Sequence, residues 1–423
     1  MGKSSQWRNP FYASYSLNLL LFFAGWGIWW SFFQIWLTTK EGFSGAQVGA
    51  IYSFNSAISL VMNLVYSNFQ DRLGTRRNLL IFCAILEMLL GPFFTWLYIP
   101  ILKAHFMLGA LLGSIYLTFA YLSASPMFEA LAERISRRFG YQYGQARAWG
   151  SFGYAAAALA AGFLFTISPY LVFWSGSAIA LILLIVLVFW NPIRNPKNLE
   201  KFEDKKENER ESQPLSTKDF LKIFKIKSLW EIAIFLVFSG TFYTIFDQQM
   251  FPQFFTKFFA TQAAGDHMYG ILNSVEVFLE SIFMGLVPIL MRKVGIKKTI
   301  LIGTTFMFIR IAGCGLITNP LGVSCIKLLH APETAIFVVV MFRYYTLHYD
   351  PRLSATINIV TGIAGSIGQV ILSTPLGILR DKIGYQPTFL VIAAIVLCAG
   401  IYGCFVILKD NQDVNGQPLK KRE

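Results

Sequence analysis

The chain has 423 residues, of which 55% are apolar and only 14% are charged. Soluble globular proteins carry about 25% charged residues, so this composition excludes a soluble protein of several domains and favours an integral membrane protein. The formal net charge of +13 does not indicate nucleic-acid binding, because the lysines and arginines lie in short segments between apolar runs. That distribution is typical of the cytoplasmic loops of membrane proteins.

Apolar runs follow one another along most of the chain. A membrane-spanning helix needs about 20 mostly apolar residues. Six such runs lie near 11–37, 46–69, 79–100, 104–128, 146–167 and 170–191, and six more lie near 229–255, 268–291, 298–318, 322–342, 355–379 and 385–408. The pattern predicts an all-α fold of twelve transmembrane helices in two six-helix bundles, at 1–191 and 228–409. We expect a cytoplasmic linker at 192–227 and a cytoplasmic tail at 410–423.

Basic residues predict the orientation of the chain. Most of them fall in loops on one side of the membrane, which places both termini and the linker in the cytoplasm of a bacterial inner (plasma) membrane. The loop DRLGTRRNLLI at 71–81 matches RKVGIKKTILI at 292–302. This match indicates two related halves, as an alternating-access carrier requires. We expect Asp71, in the first of these loops, to take part in gating.

Ionisable residues are concentrated in the second half of the chain. Each one at mid-membrane costs at least ~3 kcal/mol and therefore indicates function. Lys327, His330 and Glu333 recur every three residues and share one face of a predicted helix. Burial favours a neutral carboxylic acid and a nearby cation favours the carboxylate, so this face suits proton binding and release. Arg310 is the predicted cation for Glu333, and Asp247 is the predicted partner of Lys327. The alternative is a static network of ion pairs that fixes helix packing.

Three residues of the first half predict a sugar site. Glu129 and Arg147 lie on the fourth and fifth predicted helices, and a carboxylate beside a guanidinium suits neighbouring sugar hydroxyls. Tyr154 lies two helical turns after Arg147 and could place a ring against the apolar face of a sugar. The alternative is a simple salt bridge at the helix ends.

Three further carboxylates lie within predicted helices. Glu276 and Glu280 are one turn apart on the eighth helix, and we expect one of them to contact substrate or to join the network of His330 and Arg310. Glu87 lies alone on the third helix and is a further functional candidate.

Sequence motifs of other membrane proteins are missing. The chain contains no G-x-x-x-x-G-K-[ST] loop for ATP, and no HExxH, CxxC or nucleophile-elbow motif. We therefore expect neither an ATP-driven pump nor an enzyme, and no cofactor other than protons as the coupling ion.

Four segments carry a resemblance to a known family: SRRFGYQYGQARAWGSFGY, IFDQQMFPQFF, KLLHAPE and RLSATI. They resemble the oligosaccharide:proton symporters of the major facilitator superfamily, a group that contains lactose, raffinose and sucrose permeases. The likeness covers nearly the whole chain and implies proton-coupled symport of a disaccharide or small oligosaccharide by alternating access. It implies that Glu129 and Arg147 bind sugar and that His330 links sugar to proton. It implies a proton site at Glu333, with Arg310 as its deprotonating partner. It also implies a structural pair of Lys327 with Asp247, and it places Asp71 in the superfamily's cytoplasmic loop motif.

The sequence differs from the lactose permease pattern at several positions. Thr244 and Ser366 stand where those proteins carry a charge pair between helices seven and eleven, and Tyr154 stands where they carry a sugar-stacking tryptophan. Their eighth-helix sugar carboxylate would fall at Val277. On these counts, and in GWGIWWSFFQIW and LSTPLGIL, the chain looks closer to the sucrose permeases.

Two other functions fit the same composition. One is a facilitative sugar carrier, and the other is a transporter-like sugar sensor without proton coupling. Neither would need the face formed by Lys327, His330 and Glu333. We expect a disaccharide and the lipid bilayer as partners, no nucleic acid, and a functional monomer.

Overall fold

A computed structural model describes residues 9–73, 77–192, 225–349 and 354–410. These residues form helices joined by short turns, and no strand occurs among them. They divide into two compact units, one within Met1–Trp36, Ala57–Pro214 and Asp266–Ser274, and the other within Leu37–Ser56, Leu215–Gly265 and Val275–Glu423. The predicted linker and tail lie almost wholly outside the described residues, so the division into bundles at 1–191 and 228–409 stays a prediction.

The described part of the chain before residue 193 consists of nine α-helices and three π-helical segments. The α-helices are α1 (Pro10–Ile35), α2 (Gly45–Leu73), α3 (Asn78–Met88), α4 (Leu90–Pro92), α5 (Ile99–Ala104), α6 (Phe106–Leu117), α7 (Ala124–Phe139), α8 (Tyr143–Ile167) and α9 (Pro169–Phe189). The π-helical segments are Trp36–Lys40, Phe93–Tyr98 and Thr118–Leu122.

Eight α-helices and one π-helical segment occupy the described residues from 225 onward. The α-helices are α10 (Lys227–Val237), α11 (Phe251–Thr256), α12 (Gln262–Val294), α13 (Ile296–Leu316), α14 (Pro320–Lys327), α15 (His330–His348), α16 (Ser354–Ile383) and α17 (Tyr385–Val406). The π-helical segment is Tyr243–Gln248.

Nine stretches of described residues are long and apolar enough to cross a membrane. The pair Asn78–Met88 and Leu90–Ala104, bent by 44°, makes ten if it counts as one span. The predicted runs 46–69 and 229–255 are not among them, because α2 is rich in polar residues and the latter run is split among three short helices. The predicted all-α membrane protein is confirmed, and the number twelve stays a prediction.

Small residues bring α1 and α8 into close contact. A Cβ added at Gly153 of α8 would lie 2.4 Å from the carbonyl oxygen of Leu20 on α1. One added at Gly27 of α1 would lie 3.0 Å from the ring of Tyr154 on α8. Such glycines let membrane helices approach closely, and this packing fixes the face of α8 that carries Arg147.

Helix breaks position the charged residues of the second unit. The predicted helix at 322–342 is interrupted, since α14 ends at Lys327 and α15 begins at His330. The cause is Pro332, which lacks an N–H and whose ring clashes with the carbonyl of the fourth residue before it. Glu333 therefore lies in the first turn of α15, where the helix dipole favours a carboxylate. Asp247 lies in a π-helical segment, an irregularity that is frequent at functional sites.

Candidate functional site

Arg310 is the centre of a buried ion cluster in the second unit. Its guanidinium is fully buried on α13 and donates four hydrogen bonds. Two go to Asp247, at 2.5 Å and 3.0 Å, and two go to Glu333, at 2.7 Å and 2.8 Å. The planar guanidinium thus binds two carboxylates at once, an arrangement that a lysine could not reproduce. The centre of the Phe246 ring lies 5.0 Å from the guanidinium carbon.

Lys327 joins the same cluster from the end of α14. Its Nζ donates to Asp247 Oδ1 at 2.7 Å. It also forms an ion pair with Glu276, whose Oε2 lies 2.8 Å from the same nitrogen. Lys327 and Glu276 are both buried. Of the two glutamates predicted for this region, Glu276 is therefore the one that the structure brings to the cluster.

His330 lies between the carboxylates of this cluster. Its Nδ1 is 3.5 Å from Asp247 Oδ2, and its Nε2 is 3.6 Å from Glu276 Oε1. The Nε2 atom is also 3.1 Å from Thr334 Oγ1. The ring of Tyr243 stacks on the imidazole at a centroid distance of 5.2 Å and an angle of 11°. His330 is thus fixed in orientation beside two acidic groups.

The charges of the cluster do not cancel. It contains three buried carboxylates, Asp247, Glu276 and Glu333, and two buried cations, Arg310 and Lys327. If all five are ionised, one negative charge stays uncompensated, and a net charge is unfavourable in a dry interior. A single proton on a carboxylate or on the imidazole neutralises the cluster.

The same residues are poorly suited to hold a metal ion. Donor atoms of Asp247, His330 and Glu333 lie within 4.8 Å of one another. However, both carboxylates already bind Arg310, and Asp247 also binds Lys327. A divalent cation would have to displace these two cations or lie against them, so the donor set favours a proton.

Glu129 and Arg147 form an ion pair in the first unit. Arg147 Nε donates to Glu129 Oε1 at 2.6 Å, and Arg147 Nη1 donates to Ser151 Oγ at 3.2 Å. The side chains keep 30% and 32% exposure, in contrast to the fully buried Arg310. The guanidinium lies 4.1 Å from the centre of the Phe23 ring. This polar pair beside an aromatic ring is accessible to a ligand.

The other predicted residues occupy separate positions. Tyr154 is partly buried against the core of the first unit and packs on Gly27. Glu280 lies one turn after Glu276 on α12 and is half-buried. Asp71 lies in α2, but its side chain is outside the described part of the structure, so its predicted gating role stays a prediction.

Comparison with known proteins decides the family. A sequence model described as LacY proton/sugar symporter matches residues 4–418. The chain belongs to this family. It is 36% identical to the sucrose permease of Escherichia coli over 98% of both chains. It is 32% identical to the lactose permease of Citrobacter freundii over 90% of both chains. Among solved structures, the nucleoside transporter NupG superposes with a TM-score of 0.77 at 15% identity, covering 95% of this chain and 100% of that one.

Membership of the LacY family confirms several predictions. The chain is a multi-pass membrane transporter with the major facilitator fold, and it is not an enzyme. The predicted likeness to the sucrose permeases is confirmed by the identities just given. The roles of the individual residues stay predictions.

Neutral hydrogen bonds surround Thr244 and Ser366, the two positions at which the family resemblance implies the loss of a charge pair. Thr244 Oγ1 accepts from Gln369 Nε2 at 2.9 Å, and Gln369 Oε1 accepts from Ser56 Oγ at 2.7 Å. Ser366 donates instead to the carbonyl of Gly362 at 3.2 Å. Hydrogen bonds thus satisfy the groups at these positions without any ion pair.

Some contacts of the cluster were missed by sequence reasoning. The sequence suggested Arg310 as the partner of Glu333, but not the two further bonds to Asp247. The contact of Tyr243 with His330 was also missed; Tyr243 lies four residues before Asp247, a spacing at which helical side chains are neighbours. That spacing could have identified it.

Proposed function

We propose that this member of the LacY family couples proton entry to the symport of a disaccharide or small oligosaccharide by alternating access. The observation that carries the proposal is the buried cluster around Arg310, whose carboxylates exceed its cations by one. A site of this kind takes up one proton to become neutral. The names of the relatives, sucrose permease and lactose permease, support a disaccharide as the substrate. The 36% identity to the sucrose permease makes sucrose the first substrate to test.

Glu333 is the proposed proton site. In the described conformation Arg310 binds both of its oxygens, which corresponds to the carboxylate. Protonation removes the charge that holds Glu333 to Arg310, while Asp247 continues to bind the guanidinium. Movement of Arg310 toward or away from Glu333 would therefore change how readily this carboxyl group holds its proton.

His330 is the proposed link between sugar and proton. It contacts Asp247, which binds Arg310, and it also approaches Glu276. A sugar hydroxyl that bonds to His330 or Glu276 would therefore alter the network that ends at Glu333. We assign Lys327 and its bond to Asp247 a structural role, because an unpaired buried lysine is costly.

Glu129 and Arg147 are the proposed sugar-binding pair of the first unit. Their partial exposure leaves hydrogen-bonding capacity that a fully buried pair would lack, and neighbouring sugar hydroxyls suit this pairing. The ring of Tyr154 would lie against the apolar face of the sugar. Glu280, one turn after Glu276, is an additional candidate for substrate contact.

The distribution of basic residues supports a place in the bacterial inner membrane with both termini in the cytoplasm. We expect the monomer to be the working unit, since both proposed sites are built from a single chain.

External pH tests the proposal. Cells that express the chain are suspended in a lightly buffered, anaerobic medium, and sucrose, lactose, raffinose or melibiose is added. Alkalinisation with one sugar would support proton symport and identify a substrate. Uptake of a radiolabelled sugar without alkalinisation would contradict coupling and favour the facilitative carrier. Binding of a sugar without uptake would favour the sensor.

A further inference from the structure

Glu87 is a carboxylic side chain outside both proposed sites. It lies in the last turn of α3, is completely buried, and neither of its oxygens has a hydrogen-bond partner. A carboxylate at the C-terminal end of a helix also faces the negative end of the helix dipole. Burial without a partner and this dipole both disfavour the ionised group.

The surroundings of Glu87 contain no cation among the described residues. The groups that interact electrostatically with it are Cys83 on α3, Tyr116 on α6 and Tyr121 in the next π-helical segment. A thiol and two phenols are neutral near pH 7. On the α1 side, a Cβ at Gly25 would lie 3.9 Å from Glu87 Oε2, 3.6 Å from the side chain of Ile179 and 4.0 Å from the carbonyl oxygen of Gly176, so α1 and α9 both pack near this carboxyl group.

The protein backbone also changes direction next to this carboxyl group. The helix that contains Glu87 ends at Met88, and the following segment Leu90–Ala104 is bent from it by 44°. The Tyr116 hydroxyl donates to the carbonyl of Leu86 at 2.6 Å instead of to Glu87. The carboxyl group therefore lies in a buried pocket beside a helix break, and neither of its oxygens has a hydrogen-bond partner.

We propose that Glu87 is a second proton-binding site, separate from the cluster around Arg310 and occupied by a proton in the described conformation. An ionised carboxylate in this pocket is strongly unfavourable, so loss of the proton at alkaline pH would disturb the packing of α3 against its neighbours. Glu87 would thus act as an alkaline-sensitive switch. Its proton stays bound during turnover and is not counted in the coupling of sugar to protons.

Infrared difference spectroscopy of the purified, lipid-reconstituted protein tests the site without a substrate. We expect Glu87→Gln to remove a carboxylic-acid C=O band near neutral pH and to leave the carboxylate bands unchanged. Glu231→Gln is the control, because Glu231 forms an ion pair with Lys227 at 3.3 Å and should lose a carboxylate band instead. Loss of a carboxylate band in Glu87→Gln would overturn the proposal. Glu87→Met provides a second variant that removes ionisation if the glutamine variant folds poorly.

The rate of sugar counterflow, measured as a function of pH with a sugar that the protein exchanges, tests the switch. The protonated fraction of an acid falls about tenfold per pH unit above its midpoint, so wild-type exchange should decline in the alkaline range. Glu87→Gln still contains Glu333, so its exchange should also decline, but at a higher pH than in the wild type, because only Glu333 then loses a proton. Identical pH profiles of the two proteins would contradict the switch. The proposed symport could fail while the infrared result holds, because the band depends on Glu87 alone.

Discussion

At the scale of single residues, the proposed proton coupling depends on Arg310 binding Asp247 and Glu333 simultaneously. The guanidinium is fully buried and all four of its hydrogen bonds lie between 2.5 Å and 3.0 Å. Charge-assisted bonds of this length are strong. Removing the charge of one carboxylate should therefore alter proton binding without releasing the arginine from the other.

Glu333→Gln should separate sugar exchange from accumulation. Glutamine resembles the protonated acid and cannot release a proton, so uphill accumulation should fall to equilibration. Sugar affinity should change by less than about threefold, or ~0.7 kcal/mol, because the proposed sugar pair lies elsewhere. Accumulation by concentrated cells and counterflow in vesicles measure the two properties. Unchanged accumulation would contradict the proton-site assignment.

Arg147→Lys should weaken sugar binding by at least about tenfold, ~1.4 kcal/mol. A lysine keeps the charge but cannot reproduce the bonds of the guanidinium to Glu129 and Ser151. Ser151→Ala is the matched control, since it leaves the 2.6 Å bond to Glu129 in place, and its effect should be smaller than about threefold. Equal sugar affinities in the wild type, Arg147→Lys and Ser151→Ala would show that Arg147 does not bind the sugar.

The sequence was enough to identify the ionisable residues of the cluster, but only some of the contacts between them. The spacing of Lys327, His330 and Glu333 predicted a shared face, and the structure brings all three to one cluster. It could not predict that Arg310 also binds Asp247, or that Glu276 approaches Lys327. Such contacts depend on the packing of separate helices, on which periodicity along one helix carries no information.

At the scale of secondary-structure elements, close helix packing and helix breaks position the sites. Glycines bring α1 and α8 together, and Pro332 separates α14 from α15. The apolar run at 322–342 was predicted as one helix because hydropathy does not register a break. The proline itself was visible in the sequence and marks the position of the interruption.

Gly153→Ala should lower the thermal stability of the protein. The added Cβ would lie 2.4 Å from the Leu20 carbonyl oxygen, and such overpacking costs about 1–3 kcal/mol. Gly144→Ala on the same helix is the control, because a Cβ there meets nothing within 4 Å. Thermal unfolding of both variants in detergent gives the comparison. A loss of stability in Gly144→Ala equal to that in Gly153→Ala would show that the close contact is not the cause.

Asp381→Ala should destabilise the beginning of α2. Asp381 accepts hydrogen bonds from the backbone N–H groups of Gly45 and Ala46, both at 2.9 Å, and loss of such a cap costs about 0.5–2 kcal/mol. Lys382→Ala, at the exposed neighbouring position, is the control. Hydrogen exchange of the first turn of α2 should be faster only in the Asp381 variant. Equal exchange in both variants would contradict the capping role.

At the scale of the whole molecule, composition and the apolar runs were sufficient to predict an all-α membrane protein, whereas transport was inferred from the buried charges, the matched halves and the family resemblance. The membrane environment, rather than a soluble core, accounts for the 55% of apolar residues. Individual spans were harder to predict, since α2 is polar along much of its length and the run at 229–255 is divided by turns. Both therefore depart from the plain apolar stretch that a hydropathy search detects.

The central claim is that sugar entry is coupled to a proton held by the cluster around Arg310. The most direct measurement is the ratio of protons to sugar taken up by proteoliposomes that contain the purified chain, with wild type and Glu333→Gln compared. We predict about one proton per sugar for the wild type, since one proton neutralises the cluster, and none for the variant. Sugar uptake by the wild type without proton uptake, or an unchanged ratio in the variant, would contradict the account.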